Sequence, residues 1–79
     1  MKVLLFAHAR DLAGAAEVAI ELAPDATVTD LRRALAARYP KLASLLERCA
    51  VAVDNDLADA NTPIFPTAVI ALLPPVSGG

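Results

Sequence analysis

Apolar residues set a period of two at both ends of the chain and a period near four in its middle. Lys2 to His8 alternates as a strand, with Val3, Leu5 and Ala7 on one face and Lys2, Leu4, Phe6 and His8 on the other. Ala9-Arg10-Asp11-Leu12-Ala13-Gly14 reads as a polar turn ending in glycine. Glu17 to Leu22 then alternates again, placing Val18, Ile20 and Leu22 opposite Glu17, Ala19 and Glu21, so the first segments predict an opening β-hairpin. Pro24 and Asp25 break the second strand. Thr27-Val28-Thr29-Asp30 has the form of a capping box with Asp in place of the preferred Glu. From there Val28, Leu31, Ala34 and Leu35 recur at helical spacing, with Arg32, Arg33 and Arg38 mainly opposite as a solvated face. Tyr39-Pro40 ends that helix.

Pro40 opens a shorter helical segment, Lys41 to Arg48, which offers Leu42, Leu45 and Leu46 for burial. Ala50-Val51-Ala52-Val53 is strand-like and Asp54-Asn55-Asp56 turns it. Leu57 to Pro63 is a polar loop with room for a short strand, Phe65-Pro66-Thr67 is another turn, and Ala68 to Leu73 is the last strand. Pro74 and Pro75 stop it because they supply no ladder donor. A hairpin, a crossover helix and a final strand returning beside the first make an α+β fold. The expected arrangement is a β-grasp, ubiquitin-like domain: a mixed sheet of four to five strands with one main helix on one face and a second short helix. Residues 1–73 form this domain and residues 74–79 an extended tail.

A single core does not account for both faces of the strands. Ile70 and Leu72 share a face opposite Val69, Ala71 and Leu73, so both sides of the terminal strands are apolar. With a helix over one face, Leu4, Phe6, Val69 and Leu73 are left toward solvent as a candidate docking patch.

Composition narrows the function. The 79 residues are 57% hydrophobic and 20% charged, enough for one small core-rich domain. With no Trp, one Tyr and two Phe there is no stacking platform for single strands, and a net charge of -2 argues against a phosphate-binding stripe, so no nucleic-acid partner is expected. The single Cys49 closes no intrachain disulfide and makes no zinc site with the single His8, which fits a reducing cytoplasm. The start of the chain turns polar too soon for a signal peptide and no run reaches membrane-spanning length, so neither export nor a membrane partner is expected. His8 reads as an ordinary edge-strand histidine, Cys49 as a small buried residue, and Asp54 and Asp56 as turn formers, with no metal site among them.

The tail carries the chemistry. Pro74-Pro75 holds the chain extended, so the six residues Pro74-Pro75-Val76-Ser77-Gly78-Gly79 reach about 20 Å from the sheet. Gly78-Gly79 has no side chain, and a channel too narrow for any Cβ admits its backbone. The terminal carboxylate of Gly79 is thereby presented for activation inside another protein. A carboxylate is a poor electrophile until one oxygen becomes a leaving group, as in an acyl-adenylate. In such a carrier the arm brings the group and the partner does the chemistry.

Lys2-Val3-Leu4-Leu5-Phe6-Ala7 with Arg10-Asp11 and Gly14, the Thr27-Val28 entry to the helix, Val53 with Asn55 and Leu57, and above all Leu72-Leu73-Pro74-Pro75-Val76-Ser77-Gly78-Gly79 resemble the MoaD/ThiS family of ubiquitin-like sulfur carriers along the full chain. The double proline points to its molybdopterin synthase branch. That resemblance implies a cycle in which an E1-like adenylating enzyme uses ATP and magnesium to adenylate Gly79, and a persulfide sulfur donor then supplies the sulfur of a thiocarboxylate. The loaded tail enters the large subunit of molybdopterin synthase, in a heterotetramer, and gives its sulfur to cyclic pyranopterin monophosphate to build the dithiolene. The small subunit binds no cofactor and supplies no acid or base. The resemblance also places partner contacts on Phe6, Leu57 and Leu73 and on the tail residues Pro74, Pro75, Val76 and Ser77. Where the family commonly has an acidic turn before the last strand this chain has Phe65-Pro66-Thr67, which would extend the apolar patch. Carriers serving thiamine, cysteine or tRNA thiolation, a ubiquitin-like protein modifier, and a β-grasp binding module with an idle tail are the alternative readings.

Overall fold

Val3, Leu5, Val51, Ile70 and Leu72, all buried on one side of a sheet, define where the core lies in the computed structural model, which describes residues 1–75. The elements are β1 (Lys2–Leu5), α1 (Ala7–Ala13), β2 (Glu17–Ala19), α2 (Val28–Arg38), a 3-10 turn (Pro40–Leu42), α3 (Ala43–Leu46), β3 (Ala50–Val53), β4 (Asp56–Ala58) and β5 (Val69–Leu73). The five strands lie in the order β2-β1-β5-β3-β4. β1 and β5 run parallel at the centre and the other three pairings are antiparallel. Val28, Leu31 and Leu35 of α2, with Leu42, Leu45 and Leu46, complete the buried cluster on the inner face of the sheet. This is the expected mixed-sheet β-grasp with its main helix on one face.

The opening hairpin is the chief departure from the pattern. β1 stops at Leu5, and the segment read as a turn is the helix α1. Ala7, at φ 48°, swings the chain out of the strand, in a left-handed conformation that costs a non-glycine residue about 1 kcal/mol. Ala-His-Ala-Arg-Asp-Leu-Ala is rich in helix formers, and burial of Ala9 with half-burial of Leu12 and Ala13 anchors one side of it. Gly14, at φ 76°, ends it, its N–H donating to the Arg10 carbonyl at 2.9 Å. An added Cβ there would meet nothing within 4 Å, so conformation and not space asks for glycine. The alternation therefore fails after Leu5, and Ala7 is exposed.

α2 begins where its capping signal placed it. The Asp30 carboxylate accepts from the Thr27 N–H at 2.9 Å and from its hydroxyl at 3.2 Å. Two further N–H groups of the first turn are taken by the loop before β5: Val28 donates to the Thr62 carbonyl and Thr29 to that of Ala60, each at 3.1 Å. Replacing Asp30 by Ala should cost about 1 kcal/mol and lower Tm by about 4–8 °C in a calorimetric scan. An unchanged Tm would mean the backbone acceptors suffice.

β3 and β4 join through Asp54 and Asn55, both at positive φ as a two-residue type I′ turn requires. Asp54 also extends the sheet, its carboxylate accepting the Val69 N–H and its own N–H donating to the Val69 carbonyl, both at 2.9 Å. Among the described residues, no group of three or more His, Cys, Asp or Glu side chains is placed to hold a metal, and no helix is long and apolar enough to cross a membrane.

Candidate functional site

The strand registers assemble the outer face of the sheet row by row. Leu4 pairs with Ala71, Ala71 with Ala52, and Ala52 with Leu57, so one line of apolar side chains crosses β1, β5, β3 and β4. One step toward the end of β5, Leu73 pairs with Ala50 on the same face. Directly opposed residues share a face, so Leu4, Leu57 and Leu73 rise around a floor of Ala50, Ala52 and Ala71. Leu57 is 75% exposed, whereas Ala52 is only 7% exposed, shielded by its larger neighbours. A face of this shape can take up apolar side chains, because it is shallow and not occupied by any element of the described chain.

Phe6 follows β1 in extended conformation one position beyond the Leu5–Leu72 pair, 45% exposed, at the end where β5 delivers Leu73 to the tail. Leu73 and Pro74 are half-buried and Pro75 is exposed. Val76, Ser77, Gly78 and Gly79 lie outside the described residues. Phe65 is 72% exposed but precedes β5, so it stands at the opposite end of that strand, nearer Val69 at 43%. It therefore does not join the apolar residues at the tail end.

Arg32 is not part of a solvated arginine face. Its guanidinium donates to the Leu46 carbonyl, which also accepts the Cys49 N–H at 3.3 Å, and, at 3.0 Å, to the carbonyl of Cys49, tying the end of α3 to the entry of β3. Arg33 and Arg38 are exposed. Helical periodicity assigned all three to one side and had no way to show which one meets the end of α3, 14 residues on. The alanine floor was missed too, although the alternation in Ala50-Val51-Ala52-Val53 carries it.

His8 is exposed on α1. Cys49 is buried, and burial pushes its thiol above the ordinary range against the opposing pull of Arg32 and Arg48. Because the folded value is raised, the neutral thiol's contribution to stability is complete below the unfolded thiol pKa and is lost as pH rises through the folded one. Labelling by a thiol reagent at mildly alkaline pH should accordingly be slow in the native protein and fast in denaturant. Equal rates in the two states would contradict this burial.

The ThiS family model matches residues 3–79. The chain belongs to the ThiS family. It is similar to the molybdopterin synthase sulfur carrier subunit of Dictyostelium discoideum, at 37% identity over 81 residues covering 99% of this chain and 94% of that one. Among solved structures it is similar to SAMP1 from Haloferax volcanii, with a TM-score of 0.90, 31% identity and coverage of 100% and 98%. It is also similar to a chain in a complex of subunits 1 and 2 of molybdopterin-converting factor from Helicobacter pylori, with a TM-score of 0.69, 34% identity and coverage of 99% and 96%. The matched residues run from within β1 through β5 and beyond it.

Proposed function

We propose that this chain is the sulfur-carrier subunit of a molybdopterin synthase, working through the carboxylate of Gly79. The observation that carries the reading is full-length similarity to sulfur carrier subunits in a chain whose β5 runs from the apolar face, through Leu73, into Pro74-Pro75 and a sequence ending Gly78-Gly79. An E1-like enzyme with ATP and magnesium converts the carboxylate to an acyl-adenylate and releases pyrophosphate. Sulfur from a persulfide donor, with reducing equivalents from a thiol, displaces AMP and leaves a thiocarboxylate. The thiocarboxylate sulfur attacks cyclic pyranopterin monophosphate, and water later frees the terminus as carboxylate. Each turn delivers one sulfur and a dithiolene holds two, so two loaded carriers serve each product, as a heterotetramer with two small subunits would provide.

In this reading the face rimmed by Leu4, Leu57 and Leu73, with Phe6 at its tail end, docks the large subunit and the adenylating enzyme in turn, and Pro74 to Gly79 enters their active sites. The chemistry belongs in the cytoplasm, where a thiol such as Cys49 stays reduced. The test is the intact mass after incubation with ATP, magnesium, a sulfur source and an adenylating enzyme from the same organism. A gain equal to replacing one oxygen by sulfur is expected; no gain with a demonstrably active enzyme would sink the assignment.

Likeness to a Haloferax volcanii protein described as a small archaeal modifier protein supports a second reading, in which the activated Gly79 passes to a lysine amine. Conjugates that survive denaturant and thiols, formed without sulfur transfer to the pterin, would favour it.

A further inference from the structure

β2 is an outer strand of the sheet, and its hydrogen bonds show which of its groups have no partner among the described residues. Leu5 N–H donates to the Ala16 carbonyl at 2.8 Å and Ile20 N–H to that of Met1 at 3.0 Å, with Val3 opposite Val18 between them. Ala16, Val18 and Ile20 thus face β1, and the backbone groups of Glu17, Ala19 and Glu21 point away from the sheet. Concave surface lies along this edge. A cavity of about 610 Å³ is lined by Met1, Ala19, Ile20, Glu21, Ala34 and Arg38, and two smaller ones of about 470 and 250 Å³ share Met1 with it. Small side chains at Ala19 on β2 and Ala34 on α2 leave the room.

We propose that the free edge of β2 docks an extended, basic segment of a partner protein as an added strand. Three features choose that occupant. Glu17, Ala19 and Glu21 alternate to one side of the edge as acid, small, acid, so a strand laid against them is favoured by Lys or Arg at matching positions. Among the described residues Glu17 is engaged only by Lys2, at 3.5 Å in an exposed pair that exchanges readily. A second copy is disfavoured by the same charges, since antiparallel pairing about Ala19 sets Glu17 against Glu21 twice. Toward α2, the strand's intervening residues meet Ala34 and Arg38 and should be apolar or acidic. The preferred segment therefore reads basic, apolar, basic.

This edge is separated from β5 by β1, so occupying it leaves the Leu57 and Leu73 face and the root of the tail uncovered. Docking there holds the protein on a partner without competing for the carboxyl terminus, and it does not depend on which acceptor the tail serves.

The probe is a fluorescein-labelled peptide of alternating lysine and valine, compared with a peptide of the same composition in two blocks and with one carrying glutamate for lysine. Binding by the alternating peptide alone is expected, with amide shifts and slowed exchange at Glu17, Ala19 and Glu21. Ala19→Pro removes an outward N–H without breaking a bond to β1, which an edge strand tolerates, and should weaken binding about tenfold. Glu17→Lys with Glu21→Lys should transfer the preference to the glutamate peptide, and unchanged α2 amide shifts would show that each variant is folded. Equal binding of the block peptide, shifts centred on Leu4, Ala71 and Leu73, indifference to both variants, or no binding would each overturn the proposal. So would perturbation of the same amides by protein concentration alone, which would make a second copy the occupant.

Discussion

A chain lacking Gly79 should take up no sulfur at enzyme concentrations that load the full chain completely. Removing the last residue leaves a carboxylate on Gly78 and takes up to about 3.5 Å from the reach of the terminus. Misplacement of a reacting group by even about 1 Å can cost on the order of a hundredfold in rate, so under the proposed function the shortened chain should fail to reach the adenylating centre. Stability should not change, because the deleted residue lies beyond β5 and, among the described residues, the buried cluster ends at Leu72. Intact mass and a thermal scan on the same samples give both readouts. Loading of the shortened chain at the normal rate would mean that the reacting group is not the terminal carboxylate. Loss of loading together with a lowered Tm would point to a folding defect instead.

The second large effect is on the fold itself. Leu35→Ala removes a fully buried side chain from α2, where it packs with Leu31 over the inner face of the sheet. Such truncations cost about 3 kcal/mol when the cavity cannot collapse. A domain of 79 residues has about 4 to 12 kcal/mol of stability to lose, so Tm should fall by roughly 15 °C. Leu57→Ala makes the opposing case. Leu57 stands exposed on β4, so its truncation should leave Tm unchanged within about 2 °C while weakening association with the large subunit. Titration calorimetry beside the thermal scan separates the two effects. A stable Leu35→Ala protein, or a Leu57→Ala protein that binds the large subunit normally, would contradict the division between inner and outer face.

Much of that division was legible in the chain. Alternation in Lys2 to Leu5 and in Val69 to Leu73 put Leu4, Val69 and Leu73 opposite the core, and the registers place them there. The capping signal at Thr27 and Asp30 located the start of α2, because both halves of that signal lie within one helical turn. Leu42, Leu45 and Leu46 were read as buried and are. Ala7 to Ala13 was misread because a short Ala-rich run with one Leu shows too little periodicity to outweigh the strand pattern before it. Gly14 was visible as punctuation, but a glycine closes a helix as readily as it makes a turn.

Sequence by itself determined the elements whose signals are local: the period of the strand cores, the cap of α2, and the prolines that stop β5. Only the tertiary structure decided what depends on partners distant in the chain. The parallel pairing of β1 with β5 joins residues 67 apart, such as Leu4 and Ala71, and the line from Leu4 to Leu57 runs through that pairing, which periodicity does not encode. The same holds for the Arg32 clamp on Leu46 and Cys49 and for the free edge of β2. A strand's pattern says which residues share a face; only the register of its neighbours says what that face is made of.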